Sequence, residues 1–585
     1  MRASPGVGPA LHRAGAQRHN PVETNPGSLK AETLAGEPGI YPGHRPVTVL
    51  RAAIYVRGAW AELRNAPDGV LDACLTVPHP KPWVSRAFRE KRWDGRIRLF
   101  RGSRFPAGLT PRVVEHLQEM GRDVFVSGFE EKLRHDWSRI EADYLPRSGK
   151  FRELWPHQLD AVHAALAARC GIVKSPTGSG KSEMIAVIAR ALFEEFAWNT
   201  LILVPKKGLM HQTVERLQRY YQDDLRVGWM GDGERVEGDV VVATAQTMQG
   251  WKLRKVGRKT RPADPLLRGI VRNFQVIIGD EVHRASSTTW FDLFMHSGAH
   301  RRYGFSATPL KADELSDLRM IGATGPILYS CDTTKLIDAG LAARPKIAMV
   351  MSEAATGPDR TEKVARLARE ATIERRVARG QRVRTPEAVK PEPQDVYRSA
   401  YRVGVAENRR HNAAVIQAVQ WLVEQGRKPL VMCRYRAHWE DLRERLEETG
   451  ISFLAIWGAS DKGDRDLAKK SYGAGTTRVV LATGIWEEGE DIPGVDAIVL
   501  AEGVKSVTNA LQRIGRGMRR DTKDVWVVDF VPTSHPTLRK HAVARAESYE
   551  QEGYEVVLVE KWPEPNKFDV GDDLLPFKRW KRAIR

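Results

Sequence analysis

The chain alternates two kinds of stretch. Apolar runs of four or five residues recur at 171–174, 200–204, 239–243, 276–279 and 302–305, and most are separated by segments of helical period, such as 182–196 with its wide apolar face. Continuous apolar runs suit strands covered on both sides, so the pattern predicts a parallel sheet with helices on both faces. A second series, at 430–433, 453–456, 478–483, 497–501 and 525–530, predicts a second such sheet. Between them, 353–394 is dense in Arg and Glu, with ragged apolar spacing at Val364, Leu367, Ile373 and Val377 and prolines at 386, 391 and 393; a charged helix plus linker, mostly solvated, is expected there. Upstream, 47–55 alternates as a strand does, 91–105 reads as a hairpin entered through Asp94-Gly95, and 111–120 has the period of an amphipathic helix. Residues 1–45 lack periodicity and are rich in Gly, Pro, Ala and Arg, the composition of a disordered extension. The expected organisation is a tail (1–45), a small α+β domain (46–130), a first α/β lobe (131–350), a charged linker (351–394), a second α/β lobe (395–545) and a basic C-terminal tail (546–585).

Charge sharpens this picture. The 585 residues carry a formal net charge of +19, which favours a polyanionic partner. The plainer alternative is that arginine-rich composition only keeps the chain in solution. Four cysteines, Cys74, Cys170, Cys331 and Cys433, lie far apart without a C-x-x-C, so reduced core residues are expected and neither zinc nor disulfides are indicated. No apolar run nears the ~18 residues of a membrane span, and 1–22 lacks the apolar core of a secretory signal. In the small domain, Arg96 and Arg98 share one strand face, and Trp83, Phe88, Trp93, Phe100 and Phe105 stand among basic residues. That composition suits a platform for phosphates and stacked bases, although core filling explains most of the aromatics equally well.

The chemistry concentrates at 175–182, SPTGSGKS, between a predicted strand and a predicted helix. Gly178 and Gly180 let the backbone of Ser175, Pro176, Thr177 and Ser179 curl around phosphates. Lys181 supplies a point charge for the β and γ phosphates, and the Ser182 hydroxyl is placed for Mg²⁺. About a hundred residues on, Asp280 and Glu281 follow the apolar run 276–279, at the carboxyl end of a strand where ligands of open parallel sheets gather. Asp280 suits Mg²⁺ held through its water shell, and Glu281 suits activation of the attacking water. In the second lobe, QRIGRGMR at 512–519 offers Arg516 and Arg519, neighbours on a helix face, as cations for the transition state.

The ordered set SPTGSGKS, LVPK (203–206), ATAQT (243–247), DEVH (280–283), FSAT (305–308), VVLAT (479–483), EGEDIP (488–493) and QRIGRGMR resembles the motif series of superfamily 2 helicases over residues 150–535. The resemblance implies two RecA-like lobes with ATP and Mg²⁺ between them. It gives Gln158 the reading of adenine, beside Phe151 or Trp155, and gives Ser306 and Thr308 the coupling of nucleotide to nucleic acid, linked by His283. It places Lys206, Thr244, Gln246 and Thr483 along the strand path and Asp491 at the ribose or the lobe interface. Gln512 points to the DExH side of the superfamily, whereas Ser175 stands where Ala or Gly is usual. The stretch 92–109, with RWDGR and FPAGL, resembles the N-terminal domain of phage UvsW-type helicases, which implies that Trp93, Arg96 and Arg98 engage DNA.

Together these readings predict an ATP-dependent helicase or translocase that remodels branched DNA, forks, junctions and R-loops included. Its partners are expected to be single-stranded and branched DNA and RNA–DNA hybrids, with no membrane. A monomer in the cytoplasm of a bacterium or phage-infected host is expected, since one chain holds every catalytic group. An RNA helicase, a restriction-system motor and an ATP-gated annealing clamp remain the alternatives.

Overall fold

The computed structural model describes residues 51–559, apart from 81, 130–135, 142–143, 145–152, 223, 252–253, 257–258, 311–312, 353–357, 379, 382, 384, 459, 461, 484–494 and 503–523. The first element group is small. Strands β1 (Ala52–Arg57) and β2 (Trp60–Arg64) form a hairpin in which Ile54 faces Leu63. Helix α1 (Val70–Leu75), β3 (Thr76–Pro78), β4 (Arg96–Arg98), β5 (Arg104–Pro106), α2 (Thr110–Glu119) and β6 (Val124–Ser127) follow. The sheet runs β5-β2-β1-β6, with β6 parallel to β1.

The hairpin expected at 91–105 does not form. A tight turn does join Arg101 to Arg104, but β4 pairs with β3, setting Ile97 opposite Val77, while β5 pairs with β2, setting Phe105 opposite Ala61. A turn sequence fixes only local direction. Burying Phe105 completely in the core settles which strand it joins, and excludes that residue from a base-stacking surface.

The second group contains α3 (Pro156–Ala167), β7 (Cys170–Lys174), α4 (Lys181–Phe196), β8 (Thr200–Val204), α5 (Lys207–Tyr221), β9 (Val227–Gly231), β10 (Glu234–Val236) and β11 (Val240–Thr244). After a separate ribbon, β12 (Arg254–Val256) and β13 (Lys259–Arg261), come α6 (Pro265–Asn273), β14 (Val276–Asp280), α7 (Thr288–His296), β15 (Arg301–Ser306), α8 (Glu314–Thr324) and β16 (Ile327–Ser330). The sheet order is β10-β9-β11-β8-β14-β15-β7-β16, with antiparallel pairing only at the β10 edge. Alternation along β8 shows why its run is continuously apolar: Ile202 and Val204 enter one core with α4 and α5, and Leu201 and Leu203 enter the other with α6 and α7.

A third group contains β17 (Arg344–Ser352), α9 (Pro358–Ala378), α10 (Pro393–Tyr401), α11 (Arg409–Glu424), β18 (Pro429–Met432), α12 (Arg436–Glu448), β19 (Phe453–Ile456), α13 (Lys462–Gly473), β20 (Val479–Ala482), β21 (Ala497–Leu500), β22 (Asp524–Pro532), α14 (Pro536–Gln551) and β23 (Glu555–Val559). Its sheet, β19-β20-β18-β21-β22-β17-β23, is parallel throughout. The fold class is thus α/β, two RecA-like sheets in tandem behind a small α+β region. Two expected boundaries move. β17 crosses residue 350 and belongs to the second sheet, and α14 and β23 carry that sheet's structure well past 545. The charged helix expected within 351–394 forms as α9, and most of the described residues there are exposed; Val364 and Ala368 are nonetheless buried, and the Thr372 hydroxyl donates to Asp395 of α10 at 2.7 Å.

The small sheet is fastened to the first lobe. Leu315 and Leu318 of α8 lie in its core, and the buried Arg302 donates to the carbonyls of Gly58 (2.8 Å) and Ala323 (3.0 Å). Gly108, in the FPAGL stretch, sits so close to α8 that a Cβ there would lie 1.9 Å from the Ile321 carbonyl oxygen. Among the described residues, no helix is long and apolar enough to cross a membrane.

Candidate nucleotide and nucleic-acid site

The loop 175–182 leaves the carboxyl end of β7 and enters α4, with β15 beside it: the Ser175 amide donates to the Ser306 carbonyl at 3.0 Å. The loop is internally tied. Ser175 Oγ donates to Ser179 Oγ (2.5 Å), and Ser179 Oγ donates to the Pro176 carbonyl (2.7 Å). Gly180 has φ +82, and a Cβ there would fall 1.8 Å from Gln158 Nε2, so only glycine passes. Gln158, at the start of α3, accepts from the Trp155 amide (2.8 Å) and donates to the Ser179 carbonyl (3.0 Å), binding the expected adenine reader to the phosphate loop. Trp155 is half-buried with its ring 5.5 Å from that of His157. Lys181 Nζ donates back across the loop to the carbonyls of Ser175 (3.3 Å) and Pro176 (3.1 Å).

The carboxylates stand on the same sheet. Asp280 ends β14 and is buried; Glu281 follows with φ +59, a left-handed turn rare for a residue with a side chain. Burial, then the neighbouring Glu281 charge, push the Asp280 carboxyl up to about 6, against the pull of Lys181 and Arg216. Burial also opposes ionisation of Glu281, but its hydrogen bond to His283 and the Lys181 charge outweigh it and hold that carboxyl below its ordinary value. His283 Nδ1 lies 3.2 Å from Glu281 Oε2 and 3.1 Å from Ser306 Oγ, and Ser306 Oγ accepts from the Thr308 amide at 3.3 Å. DEVH, SAT and the phosphate loop thus form one connected polar network at the carboxyl rim of β7, β14 and β15.

One member was not legible in the sequence. Arg216, on α5, donates to Ser182 Oγ at 3.2 Å and contributes to the field at Asp280. Its partner Ser182 is 34 positions away, and only the packing of α5 beside α4 brings them together. The glycine geometry, a lysine, a hydroxyl and a buried carboxylate are the donor set that suits a triphosphate with a hard divalent cation.

The expected strand-path residues are distributed more widely. Thr244, buried at the end of β11, caps the turn that follows by accepting from the Thr247 amide (3.2 Å), while Gln246 and Lys206 are exposed at the same rim. Thr483, at the end of β20 in the second sheet, is buried, with its amide donating to Ile456. In the small sheet region Trp93 Nε1 donates to the Arg96 carbonyl (2.7 Å), and its ring packs edge-on against His79 and Phe88. Arg98 is already bridged to Asp72 (2.9 Å) and Asp94 (2.8 Å), whereas the Arg96 side chain is exposed. Asp491, Gln512, Arg516, Arg519, Phe151 and the basic run 577–582 lie outside the described residues.

Comparison with known proteins places this geometry. The family model of the type III restriction enzyme res subunit matches residues 152–311, and that of the helicase conserved C-terminal domain matches 411–521. The chain is 24% identical to the ATP-dependent DNA helicase uvsW of enterobacteria phage T4 over 507 residues, covering 80% of this chain and 91% of that protein. It is 23% identical to the DNA 3'-5' translocase XPB2 of Sulfurisphaera tokodaii over 415 residues, 70% of this chain and 88% of the relative. The crystal structure of T4 UvsW aligns over 87% of this chain and 99% of its own, at 19% identity and a TM-score of 0.41. These two family models in tandem, over two RecA-like sheets, identify the chain as a member of the superfamily 2 helicases, a nucleic-acid-dependent ATPase.

Proposed function

We propose that the chain is an ATP-driven DNA helicase or translocase that remodels branched DNA. The observation that carries this reading is colinearity: the similarity to a phage DNA helicase runs through 80% of the chain rather than through the motor motifs alone. Relatives named as RNA helicases match over stretches of only 102 to 122 residues, which favours DNA. The restriction-subunit model supports a second reading, a motor of a restriction system.

In the proposed cycle Lys181 and the loop amides hold the triphosphate, and Ser182 and Asp280 hold Mg²⁺. The ion supplies charge neutralisation at the transferring phosphoryl group. Glu281, kept ionised by His283, accepts a proton from the attacking water. The His283–Ser306 contact passes the state of the γ-phosphate to the strand path at Lys206, Thr244, Gln246 and Thr483. The motif resemblance gives Arg516 and Arg519 of the second lobe the transition-state charge, with Gln512 and Asp491 of the same motifs, so that hydrolysis would follow closure on nucleic acid.

The test is the steady-state ATPase rate without nucleic acid and with single-stranded DNA, blunt duplex, a model fork and single-stranded RNA, followed by strand displacement on the fork. Greatest stimulation by fork or single-stranded DNA, with displacement, is expected. Preference for RNA reassigns the substrate, and binding without any stimulation favours an annealing clamp.

A further inference from the structure

The small four-stranded sheet has two unlike faces. Alternation along its strands turns Ile54, Val56, Leu63 and Phe105 into the core shared with α1 and α2. The intervening residues face the other way. There Tyr55 on β1 and Phe125 on β6 are 36% and 45% exposed, and Arg57, Arg64 and Arg104 are exposed beside them. Phe125 pairs with Ala53, one pleat along from Tyr55, and the centres of the two rings lie 6.2 Å apart. One exposed aromatic is ordinary, but two in contact on an open sheet face leave apolar area that a partner would cover.

Cations are arranged around those rings. The Arg64 guanidinium stands over the Tyr55 ring, 5.2 Å from its centre, and that of Arg104 over the Trp60 ring at 5.6 Å. Glu62 is the one carboxylate among the outward residues of these four strands; it accepts from Arg64 Nε at 2.9 Å, and Arg57 and Arg104 also bear on its charge. Three guanidinium groups against one carboxylate leave the face cationic. At its inner end Trp60 Nε1 donates to the Met295 carbonyl of α7 at 3.1 Å, which ties the face to the first lobe. The residues that the motif resemblance points to are by contrast largely engaged: Arg98 is bridged to Asp72 and Asp94, and the Trp93 ring packs on His79 and Phe88.

We infer that this open sheet face is a platform for single-stranded DNA, on which bases stack against Tyr55 and Phe125 while Arg57, Arg64 and Arg104 take the phosphates. The inference rests on the reading of the chain as a DNA motor and names a site that this reading leaves unassigned. The chemistry favours an unpaired strand over a duplex. Exposed rings offer nothing to bases already stacked in a helix, whereas splayed bases present their π-faces, and a four-stranded sheet with two exposed rings is a known way to receive them. A second copy of the chain suits the face less well, since it would set one row of arginines against another.

The test compares the full chain with a ring-deleted variant, Tyr55→Ala with Phe125→Ala, a ring-keeping control, Tyr55→Phe with Phe125→Tyr, and a charge variant, Arg57→Gln with Arg104→Gln. Affinities for an oligothymidylate and for an abasic deoxyribose-phosphate strand of the same length are titrated against salt, with sedimentation of each protein. Ring deletion is expected to weaken thymidylate binding about tenfold or more and to leave the abasic strand within about twofold of the parent, since stacking acts on bases alone. The ring-keeping control should match the parent on both strands. The charge variant should lose affinity for both, with a log-log salt slope shallower by ~0.7 for each phosphate no longer neutralised. Unchanged thymidylate binding after ring deletion, or an equal loss on the two strands, overturns the platform. So does a ring-keeping control that binds as poorly as the ring-deleted protein, or a parental dimer that ring deletion dissolves, which would give the face to a second copy. A parent that binds no DNA at all overturns the DNA-motor reading as well, whereas a parent that binds and a ring-deleted variant that equals it overturn the platform alone.

Discussion

The two RecA-like sheets share an architecture, and their described residues place notable polar side chains differently. In the first, charged groups cluster at the strand ends: Lys181 crosses its own loop, Asp280 is pushed up by burial, and Glu281 holds a left-handed backbone. Among the described residues of the second, several are instead sealed inside and paired with one another. Asp529 on β22 and Arg545 on α14 are fully buried and joined at 2.7 and 3.0 Å, with the Tyr549 hydroxyl donating to the same carboxylate at 2.9 Å. His411 meets the Ala501 carbonyl at 2.7 Å, and His438 lies 3.0 Å from Tyr401 and 3.1 Å from Asn412. Strained, rim-facing groups await a ligand, whereas enclosed and paired groups hold helices to a sheet.

The largest expected effect breaks the first network alone. Lys181→Ala should reduce ATP turnover to background while leaving the melting curve unchanged; substantial hydrolysis by the purified variant would remove the lysine from the mechanism. Next, Arg545→Met leaves Asp529 buried without its cation and should cost about 3–5 kcal/mol in urea unfolding of the second lobe. Hydrogen exchange resolves whether β22 and α14 open before β7 and β14, as the comparison demands.

A smaller effect follows from pH. Burial pushes the His411 imidazole down to about 4, and burial with the nearby His411 pushes His438 down to about 3. Above pH ~6.5 both are neutral folded or unfolded and contribute no pH dependence. Below it the unfolded chain takes up protons that the folded one refuses. Stability is then lost as pH falls from ~6.5 towards 4, by up to ~1.4 kcal/mol per unit for each histidine. Replacing His438 with Gln should flatten that slope by half, which a series of urea midpoints measures. The smallest change is Arg216→Ala, which removes one hydrogen bond from Ser182 and should weaken binding of a fluorescent ATP analogue by about fivefold, at a cost of ~1 kcal/mol. An unaltered affinity would leave Arg216 as surface packing.

The legible parts of the molecule were those whose physics is local. The runs 200–204 and 276–279 face cores on both sides, so their apolar continuity is itself the strand signal. The phosphate loop was readable because its glycines, lysine and hydroxyl are adjacent in sequence. Strands at or next to the edges were not: β16 pairs on one side only and mixes exposed Ile327 with half-buried neighbours, and β9, next to the β10 edge, carries glycines at 228 and 231. β17 could not be assigned to its sheet from its own sequence, because its partners β22 and β23 lie 180 and 209 positions or so further on, at register pairs such as Arg344–Asp524 and Lys346–Glu555. The reach of Arg216 to Ser182 likewise depends on the packing of two helices.

The joint at Arg302 and Gly108 has a mechanical meaning. A guanidinium shared between two carbonyls on either side of the contact, and a glycine with no room even for a methyl group, leave that seam no give. The small sheet and the phosphate loop therefore share one frame of reference. Under the proposed function, a strand held by the small sheet would be carried with the ATP-binding half as a single wide jaw, and the second lobe would travel against both.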